Sequence, residues 1–160
     1  EAILRSAVEG AFVLTGGPGT GKTTTIKGMI DCFEFLDKKT MLDGGHNERG
    51  TKMMSKGLSL FEDNVIVVSM MADKDVENSV KNLSSNARIM IATECSNPRA
   101  MKADELSEIC RKFCGEVYSV KNPFEAIDLA FEKRGENLLA VCGSLYLASE
   151  VREYLKNCIK

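Results

Sequence analysis

A glycine-rich loop near the start of the chain carries the clearest chemical pattern. Gly16 to Thr23 reads Gly-Gly-Pro-Gly-Thr-Gly-Lys-Thr and fits the phosphate-binding pattern G-x-x-x-x-G-K-[ST]. The apolar run Ala11 to Thr15 precedes this loop, and a segment compatible with a helix, near residues 21–34, follows it. The strand–loop–helix context favours a phosphate cradle over the alternative, a glycine-rich turn that binds no ligand.

A phosphate cradle gives each residue type in the loop a role. Backbone N–H groups of the glycines converge on phosphate oxygens, and the following helix directs its positive end to the same place. Lys22 can reach the β- and γ-phosphates of a nucleotide, and the Thr23 hydroxyl can bind Mg²⁺. The predicted nucleotide-binding residues are Gly16, Gly17, Gly19, Thr20, Gly21, Lys22, Thr23 and Thr24.

Nucleotide hydrolysis would also need an acidic residue at the end of a neighbouring strand to hold the metal. Asp43, Asp73 and Glu94 each follow a short apolar run. None of them follows a full apolar strand with a second acid beside it. The pattern therefore predicts nucleotide binding and leaves hydrolysis open.

A second polar segment reads Asp43-Gly44-Gly45-His46-Asn47. It lies between a predicted strand and a predicted helix, so it should occupy the carboxyl end of a parallel strand, where open α/β sheets bind ligands. The glycines permit a tight turn with exposed backbone, and the acid, imidazole and amide can bind ribose hydroxyls or phosphate oxygens. The alternative is an ordinary turn, because Asp-Gly and His-Asn are common turn residues.

Short apolar runs alternate with amphipathic segments along the chain, which predicts an α/β fold with an open, mainly parallel sheet and helices on its faces. The six predicted strands are 11–15, 40–42, 65–69, 88–93, 116–120 and 138–142. The predicted helices lie near 21–34, 48–60, 75–84, 103–114, 123–134 and 144–157. Residues 31–40 break this alternation, because the first helical pattern there runs into a charged turn at 37–39.

Local signals predict where several helices begin and end. Asn122 and Pro123 supply a capping side chain and a first helical residue whose missing N–H costs nothing. Gly135 is predicted to close that helix, and Gly115 is predicted to end the preceding one as a left-handed cap. Ser144 fits the N-cap of the last helix, because serine is strongly preferred at that position.

The composition is that of a single globular domain of 160 residues, 44% hydrophobic and 28% charged. Lys and Arg total 21 against 23 Asp and Glu, so the chain lacks the basic excess that binding to a nucleic-acid backbone demands. Its apolar runs are far shorter than the roughly 20 residues that span a bilayer, and no leader-like segment opens it. We therefore expect no membrane association and no nucleic-acid partner.

The cysteine pattern predicts a reducing, cytoplasmic environment. The six cysteines form no C-x-x-C pair, and several lie in apolar runs, where a reduced thiol acts as a small hydrophobe. Cys110 and Cys114 share a predicted helix face, but zinc would need further ligands, and the single histidine is distant in sequence. We interpret both as structural residues.

Three ordered segments resemble the C-terminal domain of folylpolyglutamate synthase/dihydrofolate synthase, a branch of the Mur ligase superfamily. They read Leu-Asp-Gly-Gly-His-Asn at 42–47, Ser-Met-Met-Ala-Asp-Lys-Asp at 69–75 and Cys-Gly-Ser-Leu-Tyr-Leu-Ala-Ser-Glu-Val-Arg at 142–152. The resemblance covers about residues 35–160 and implies a Rossmann-like fold of the Mur ligase C-terminal type. The family usually has alanine where Gly45 stands.

This resemblance implies ATP-dependent addition of L-glutamate to a reduced folate through an acyl phosphate, a ligase reaction of folate and one-carbon metabolism. It places Asp43 in the ATP site with Ser144 near it, and His46 toward the phosphates or the acyl phosphate as a catalytic residue. It also implies a larger N-terminal domain that supplies its own P-loop, the Mg²⁺ ligands and a carbamylated lysine. The implied partners are ATP, Mg²⁺, L-glutamate, a reduced folate and that N-terminal domain.

Residues 1–34 resemble a different family. The segment Phe12 to Ile26 is similar to the nucleotide site of RecD-type (exodeoxyribonuclease V alpha-subunit) DNA helicases, which implies Lys22 and Thr23 at the phosphates and Mg²⁺. No other helicase motif is recognisable downstream. The chain is therefore predicted to join a P-loop segment, 1–34, to a synthase-like domain, 35–160, as a chimera. Alternative hypotheses are an ATP-binding helicase fragment and an α/β domain without retained activity.

Overall fold

A six-stranded sheet lies at the centre of the part of the chain that the computed structural model describes, residues 34–37 and 39–159. The strands are β1 (Glu34–Asp37), β2 (Thr40–Leu42), β3 (Asn64–Val68), β4 (Ala87–Ala92), β5 (Glu116–Ser119) and β6 (Leu139–Cys142). Their spatial order is β1-β2-β6-β3-β4-β5. The strands from β2 to β5 in this order pair in parallel, and β1 pairs antiparallel with β2. The predicted mainly parallel α/β fold is confirmed.

Five helices cover the two faces of this sheet. They are α1 (Glu48–Leu58), α2 (Val76–Ser84), α3 (Ala103–Arg111), α4 (Pro123–Arg134) and α5 (Leu145–Cys158). Met54, Val80 and Leu106 of α1, α2 and α3 pack in one core cluster, and Ile127 and Val151 of α4 and α5 pack in another on the opposite face. All five residues of β3 are buried, because helices cover both of its faces. No described helix has the length and apolarity needed to cross a membrane.

Side chains at the helix starts satisfy backbone N–H groups of the first turn. Asn122 accepts from the N–H groups of Phe124 and Glu125, and Pro123 occupies the first helical position, as predicted. Gly135 follows the end of α4 with φ of 57°, a conformation that glycine adopts without steric cost. The residues whose side chains cap helices in this way are Asn47, Asp75, Asn122 and Ser144.

The predicted left-handed cap at Gly115 is wrong. Helix α3 ends at Arg111, four residues earlier, and Gly115 is not among the described glycines with positive φ. Cys114, predicted to share the helix face of Cys110, lies beyond the helix and is buried. Its Sγ contacts the carbonyl oxygens of Arg88 at 3.6 Å and Glu116 at 3.4 Å. Contact with β4 and β5, rather than a glycine cap, therefore accompanies the exit of the chain from α3.

The strand β1 was not predicted from the sequence. Glu34, at the end of the helix predicted near 21–34, begins this strand and pairs with Leu42, and Asp37 pairs with Thr40. The antiparallel pairing with β2 stabilises β1, and the helical pattern of the preceding segment gave no sign of it. The predicted strand 11–15 and the rest of the predicted helix lie outside the described residues.

Asn64 connects three segments at the amino-terminal end of the central strands. It is fully buried at the start of β3. Its Nδ2 donates to the carbonyl oxygens of Leu58 at 3.0 Å, Phe61 at 3.1 Å and Asn86 at 2.7 Å. These carbonyls belong to the end of α1, the loop after it and the turn before β4.

We expect Asn64→Ala to lower the free energy of unfolding by about 2–3 kcal/mol, because it leaves buried carbonyl groups without a donor. Urea unfolding followed by circular dichroism measures this loss. Asn122→Ala serves as the control, since removal of an exposed helix cap costs about 1 kcal/mol. If Asn64→Ala costs no more than Asn122→Ala, Asn64 does not hold these segments together.

Candidate functional site

At the carboxyl ends of the strands, the connections after β2 and after the adjacent β6 lead to helices on opposite faces of the sheet. Helix α1 follows β2 on one face, and α5 follows the adjacent strand β6 on the other face. Strand β3, on the other side of β6, continues to α2 on the α1 face. Such a topological switch point is where open α/β sheets bind ligands. The loops after β2 and β6 therefore form the candidate site.

Asp43 is the first residue after β2. Its backbone N–H donates to the carbonyl oxygen of Val141 at 2.9 Å, which extends the hydrogen bonding between β2 and β6. Its side chain is buried, and Oδ1 accepts from the N–H of Gly45 at 2.9 Å. Burial raises the pKa of Asp43 from 3.8 to about 7, and the hydrogen bond from Gly45 offsets part of this rise. Carboxyls with strongly shifted pKa values concentrate at functional sites.

The two glycines after Asp43 allow close approach of the surrounding groups. A Cβ on Gly44 would lie 2.2 Å from Cδ2 of Leu145, so this loop packs against the first turn of α5. A Cβ on Gly45 would lie 2.9 Å from Oδ2 of Asp43 and 3.3 Å from Cα of Gly50. The family that the sequence resembles usually has alanine at position 45. Glycine there avoids a close contact between a Cβ atom and the Asp43 carboxyl.

His46 and Asn47 complete the loop. His46 is half-buried, and its Nδ1 lies 3.3 Å from the carbonyl oxygen of Gly44. Because a carbonyl oxygen only accepts, this contact assigns the hydrogen to Nδ1. The Asn47 side chain accepts from the N–H of Gly50 at 2.9 Å and caps α1, so this amide has a structural role.

Ser144 lies at the start of α5, and one residue, Gly143, separates it from the end of β6. Its buried Oγ accepts from the N–H groups of Tyr146 at 3.2 Å and Leu147 at 3.3 Å, which confirms the predicted N-cap. The Sγ atom of Cys95 lies 3.8 Å from the same Oγ. A nucleotide contact of Ser144 stays a prediction.

The structure brings Asp43, His46 and Ser144 to neighbouring loops at one edge of the sheet, since β2 and β6 are adjacent and Gly44 packs on Leu145. The other predicted site residues lie outside the described residues. They are Gly16, Gly17, Gly19, Thr20, Gly21, Lys22, Thr23 and Thr24.

Two residues of this edge had no role in the sequence-based prediction. Gly143 has φ of 89°, and a Cβ there would lie 2.6 Å from the carbonyl oxygen of Ser69. Ser69 is fully buried, and its Oγ has no hydrogen-bond partner in the described part of the chain. The sequence signals them by position, since Ser69 ends a predicted strand and Gly143 follows one, and both lie in the segments that carry the family resemblance.

The other acids considered for metal binding are engaged elsewhere. Oδ2 of Asp73 lies 3.6 Å from Nη1 of Arg99. Oε1 of Glu94 accepts from the N–H of Ala103 at 3.3 Å, and Oε2 lies 3.2 Å from Nζ of Lys102. Across residues 39–159, no three or more His, Cys, Asp or Glu side chains are grouped to hold a metal ion.

An open, mainly parallel sheet with helices on both faces defines an α/β domain of the doubly wound class, in which ligands bind at the switch point. Residues 33–145 match the family model described as Mur ligase, glutamate ligase domain. The chain therefore belongs to the Mur ligase family through this C-terminal domain. The match confirms the resemblance carried by the three sequence segments.

Solved folylpolyglutamate synthases share this fold. The Mycobacterium tuberculosis enzyme complexed with ADP has a TM-score of 0.72 and 23% identity over 78% of this chain and 32% of that chain. The Thermotoga maritima enzyme has a TM-score of 0.65 and 27% identity over 79% and 30%. The bifunctional folylpolyglutamate synthase/dihydrofolate synthase from Yersinia pestis has a TM-score of 0.69 and 21% identity over 78% and 30%. This chain thus spans about a third of the length of these relatives.

The comparison with curated proteins gives no match. Neither the family model nor these solved structures support the resemblance of residues 1–34 to RecD-type helicases.

We expect the stability of the protein to depend on the protonation of Asp43. Its pKa of about 7 in the folded protein exceeds the unfolded value of 3.8, so the folded state binds the proton more tightly. The resulting stability is present below about pH 4 and is lost as the pH rises through about 7, a change on the order of 4 kcal/mol.

Urea unfolding between pH 4 and pH 8 tests this dependence in the unmodified protein and in Asp43→Asn, which keeps an acceptor for the Gly45 N–H. The variant should lose less stability over this range than the unmodified protein. The exposed Asp73→Asn should follow the unmodified protein. Parallel profiles for the unmodified protein and Asp43→Asn would show that the buried carboxyl does not titrate in this range.

We expect Gly143→Ala to lower the free energy of unfolding by about 3 kcal/mol, because the new Cβ meets a backbone oxygen at a positive φ. Gly44→Ala is the matched control. Its Cβ meets the end of the half-exposed Leu145 side chain, which can rotate away, so the loss should stay below about 1 kcal/mol. Thermal and urea unfolding measure both, and equal losses would contradict the tight contact at Gly143.

Proposed function

We propose that this chain binds ATP as the C-terminal domain of a folylpolyglutamate synthase-like ligase. The supporting observation is the buried Asp43 in a glycine-containing loop at the switch point of the sheet. Membership of the Mur ligase family supports it, as does the likeness to synthases whose structures are described as complexes with ADP and with ADP and AMPPCP. The reaction of such a ligase would be the ATP-dependent addition of L-glutamate to a folate.

In this proposal, the loops after β2 and β6 hold the nucleotide. Asp43 accepts hydrogen bonds from the ribose hydroxyls, and its burial keeps the carboxyl in one orientation. The backbone of Gly44 and Gly45 lies beside it. Ser144 contributes the first turn of α5, whose N-terminal end favours negative charge.

His46 acts at the phosphates in this proposal. Its Nδ1 contact with the Gly44 carbonyl fixes one edge of the ring, so Nε2 is the nitrogen that faces the ligand, and it can donate to an anionic oxygen when the ring is doubly protonated. In the ligase reaction, ATP phosphorylates the folate carboxylate, and the amino group of glutamate then displaces phosphate from the acyl phosphate. His46 would hold the phosphoryl oxygens of that intermediate and so orient it toward the amine.

The ligase reaction also requires groups that the described residues do not bring together. Residues 39–159 hold no group of three or more His, Cys, Asp or Glu side chains that could bind a metal ion. We propose that a larger synthase domain supplies the Mg²⁺ ligands and the folate site, since this chain covers about a third of its relatives. Lys22 and Thr23 remain predicted contacts of nucleotide and Mg²⁺ in the N-terminal P-loop.

Titration of the full chain with a fluorescent ATP analogue tests nucleotide binding at the Asp43 loop. We expect Asp43→Asn to weaken binding at least tenfold, because an amide replaces one acceptor oxygen of the carboxyl by an NH₂ group that cannot accept from a ribose hydroxyl. Asp73→Asn, an exposed acid after β3, should bind like the unmodified chain. Lys22→Ala measures the contribution of the P-loop separately. Unchanged affinity in Asp43→Asn would overturn the proposed site.

A further inference from the structure

Two large apolar side chains are exposed at the start of α5, beside the Asp43 loop. Leu145 is 54% exposed, and the next residue, Tyr146, is 51% exposed. Among the described residues, the only other large hydrophobic side chain with such exposure is Leu60, in the loop between α1 and β3. A single exposed leucine is common on protein surfaces. Two adjacent apolar residues next to a candidate ligand loop indicate a surface that a ligand covers.

The start of α5 fixes the direction of both side chains. Oγ of Ser144 accepts from the N–H groups of Tyr146 and Leu147. The buried face of the helix begins at Leu147 and continues at Val151. Leu145 and Tyr146 lie off this face, because successive residues of a helix are rotated by about 100°. Packing of the core therefore does not account for apolar side chains at these two positions.

Leu145 joins this apolar surface to the Asp43 loop. Its side chain occupies the space that a Cβ on Gly44 would take, so it covers the backbone of the residue directly after Asp43. The half-buried His46 follows two residues later. This edge of the sheet thus combines a buried acid and an imidazole with two exposed apolar side chains. Small-molecule sites typically have apolar walls and a few polar groups that orient the ligand.

A nucleoside matches this combination of groups. Its ribose hydroxyls can donate to a carboxyl oxygen, and its base is a flat heteroaromatic ring that stacks on aromatic side chains. The base is bonded to C1′, next to the carbon that carries the 2′-hydroxyl. When the ribose hydroxyls bind Asp43, the base therefore lies within a few bonds of the loop, on which Leu145 packs.

We propose that Leu145 and Tyr146 contact the adenine base of ATP, with the Tyr146 ring stacked on the base and Leu145 between the base and Gly44. This inference rests on the proposed ATP site at Asp43 and adds the residues that recognise the base. Stacking and apolar contact depend on the area of the ring rather than on the hydrogen-bonding groups at its edge. These two residues therefore favour purine over pyrimidine nucleotides.

Competition titrations of the full chain test this assignment. ATP, CTP and tripolyphosphate each compete with a fluorescent ATP analogue, which gives their relative affinities. ATP should bind about threefold or more tightly than CTP, because a purine offers a larger stacking surface than a pyrimidine. Tripolyphosphate has neither base nor ribose, so it measures the binding of the phosphates alone.

Three variants assign the base contact to α5. Tyr146→Ala should weaken ATP binding about tenfold, and Leu145→Ala about threefold, while tripolyphosphate binds to both as to the unmodified chain. Tyr146→Phe should keep the affinity for ATP, because stacking needs the ring and not the hydroxyl. Leu60→Ala is the matched control, since it truncates an equally exposed leucine at the amino-terminal end of β3. Both α5 side chains are more than half exposed, so urea unfolding of their variants should match the unmodified chain.

The outcomes separate this inference from the proposed ATP site. If Asp43→Asn weakens ATP binding and Tyr146→Ala does not, the ATP site stands and the base contact is overturned. That result is also expected if the two apolar side chains pack against another protein domain instead. If the chain does not bind ATP, or if neither substitution changes its affinity, both proposals are overturned.

Two further results would overturn the base contact alone. In the first, Tyr146→Ala weakens tripolyphosphate as much as ATP, so the side chain acts on the phosphates. In the second, Tyr146→Phe loses as much affinity for ATP as Tyr146→Ala, so the ring does not stack on the base.

Discussion

The insertion of β6 between β2 and β3 is the constraint on which the rest of the described structure depends. Leu139 to Cys142 are buried and pair in parallel with both neighbours. The same insertion supplies the carbonyl groups of Val141 and Cys142 to the N–H groups of Asp43 and Ser69, the first residues beyond the adjacent strands. Because β6 is far from β2 in sequence, this arrangement requires long-range pairing, which forms slowly in folding.

The position of β6 also creates the chemistry of the carboxyl edge. It places the Asp43 loop beside the first turn of α5 and surrounds the carboxyl with packed atoms. The raised pKa of Asp43 follows from this burial. A carboxyl that is costly to ionise reduces stability at neutral pH, and proteins keep such groups mainly where they serve a ligand. The positive φ of Gly143 is a second local cost at the same edge.

The two ends of the central strands differ in how their charges are arranged. At the carboxyl end, Glu94 and Asp73 have cationic partners, and Asp43 is the buried acid in the loop. At the amino-terminal end, Glu62 and Asp63 are exposed, and Nη2 of Arg88 donates to the carbonyl oxygen of Lys133 at 2.8 Å. Hydrogen bonds of Asn64 join the loop before β3 to the turn before β4 at that end.

Much of the fold could be predicted from the sequence, because the residues that indicate each strand and helix lie within or next to that element. Apolar runs such as Val65 to Val68 read as buried strands since both faces of the sheet are covered. The caps at Asn122 and Ser144 are equally local, because a side chain there bonds to N–H groups two or three residues away. The segment around Asp43 could also be placed at a strand end, and the motif resemblance led to the family that the comparison confirmed.

Other features depend on residues that meet only in the folded chain. The strand β1 is stabilised by its pairing with β2. After α3, the side chain of Cys114 contacts β4 and β5. Neither of these contacts was predicted from the sequence. The pKa of Asp43 likewise reflects desolvation by groups that are distant in sequence. By itself, the sequence determined the strands β2 to β6, the five described helices, the caps at Asn122 and Ser144 and the polar loop after β2, because each rests on neighbours along the chain. Only the tertiary structure decided the strand order, the burial of Asp43 and the contact of Arg88 with Lys133, because each rests on which distant segments lie side by side.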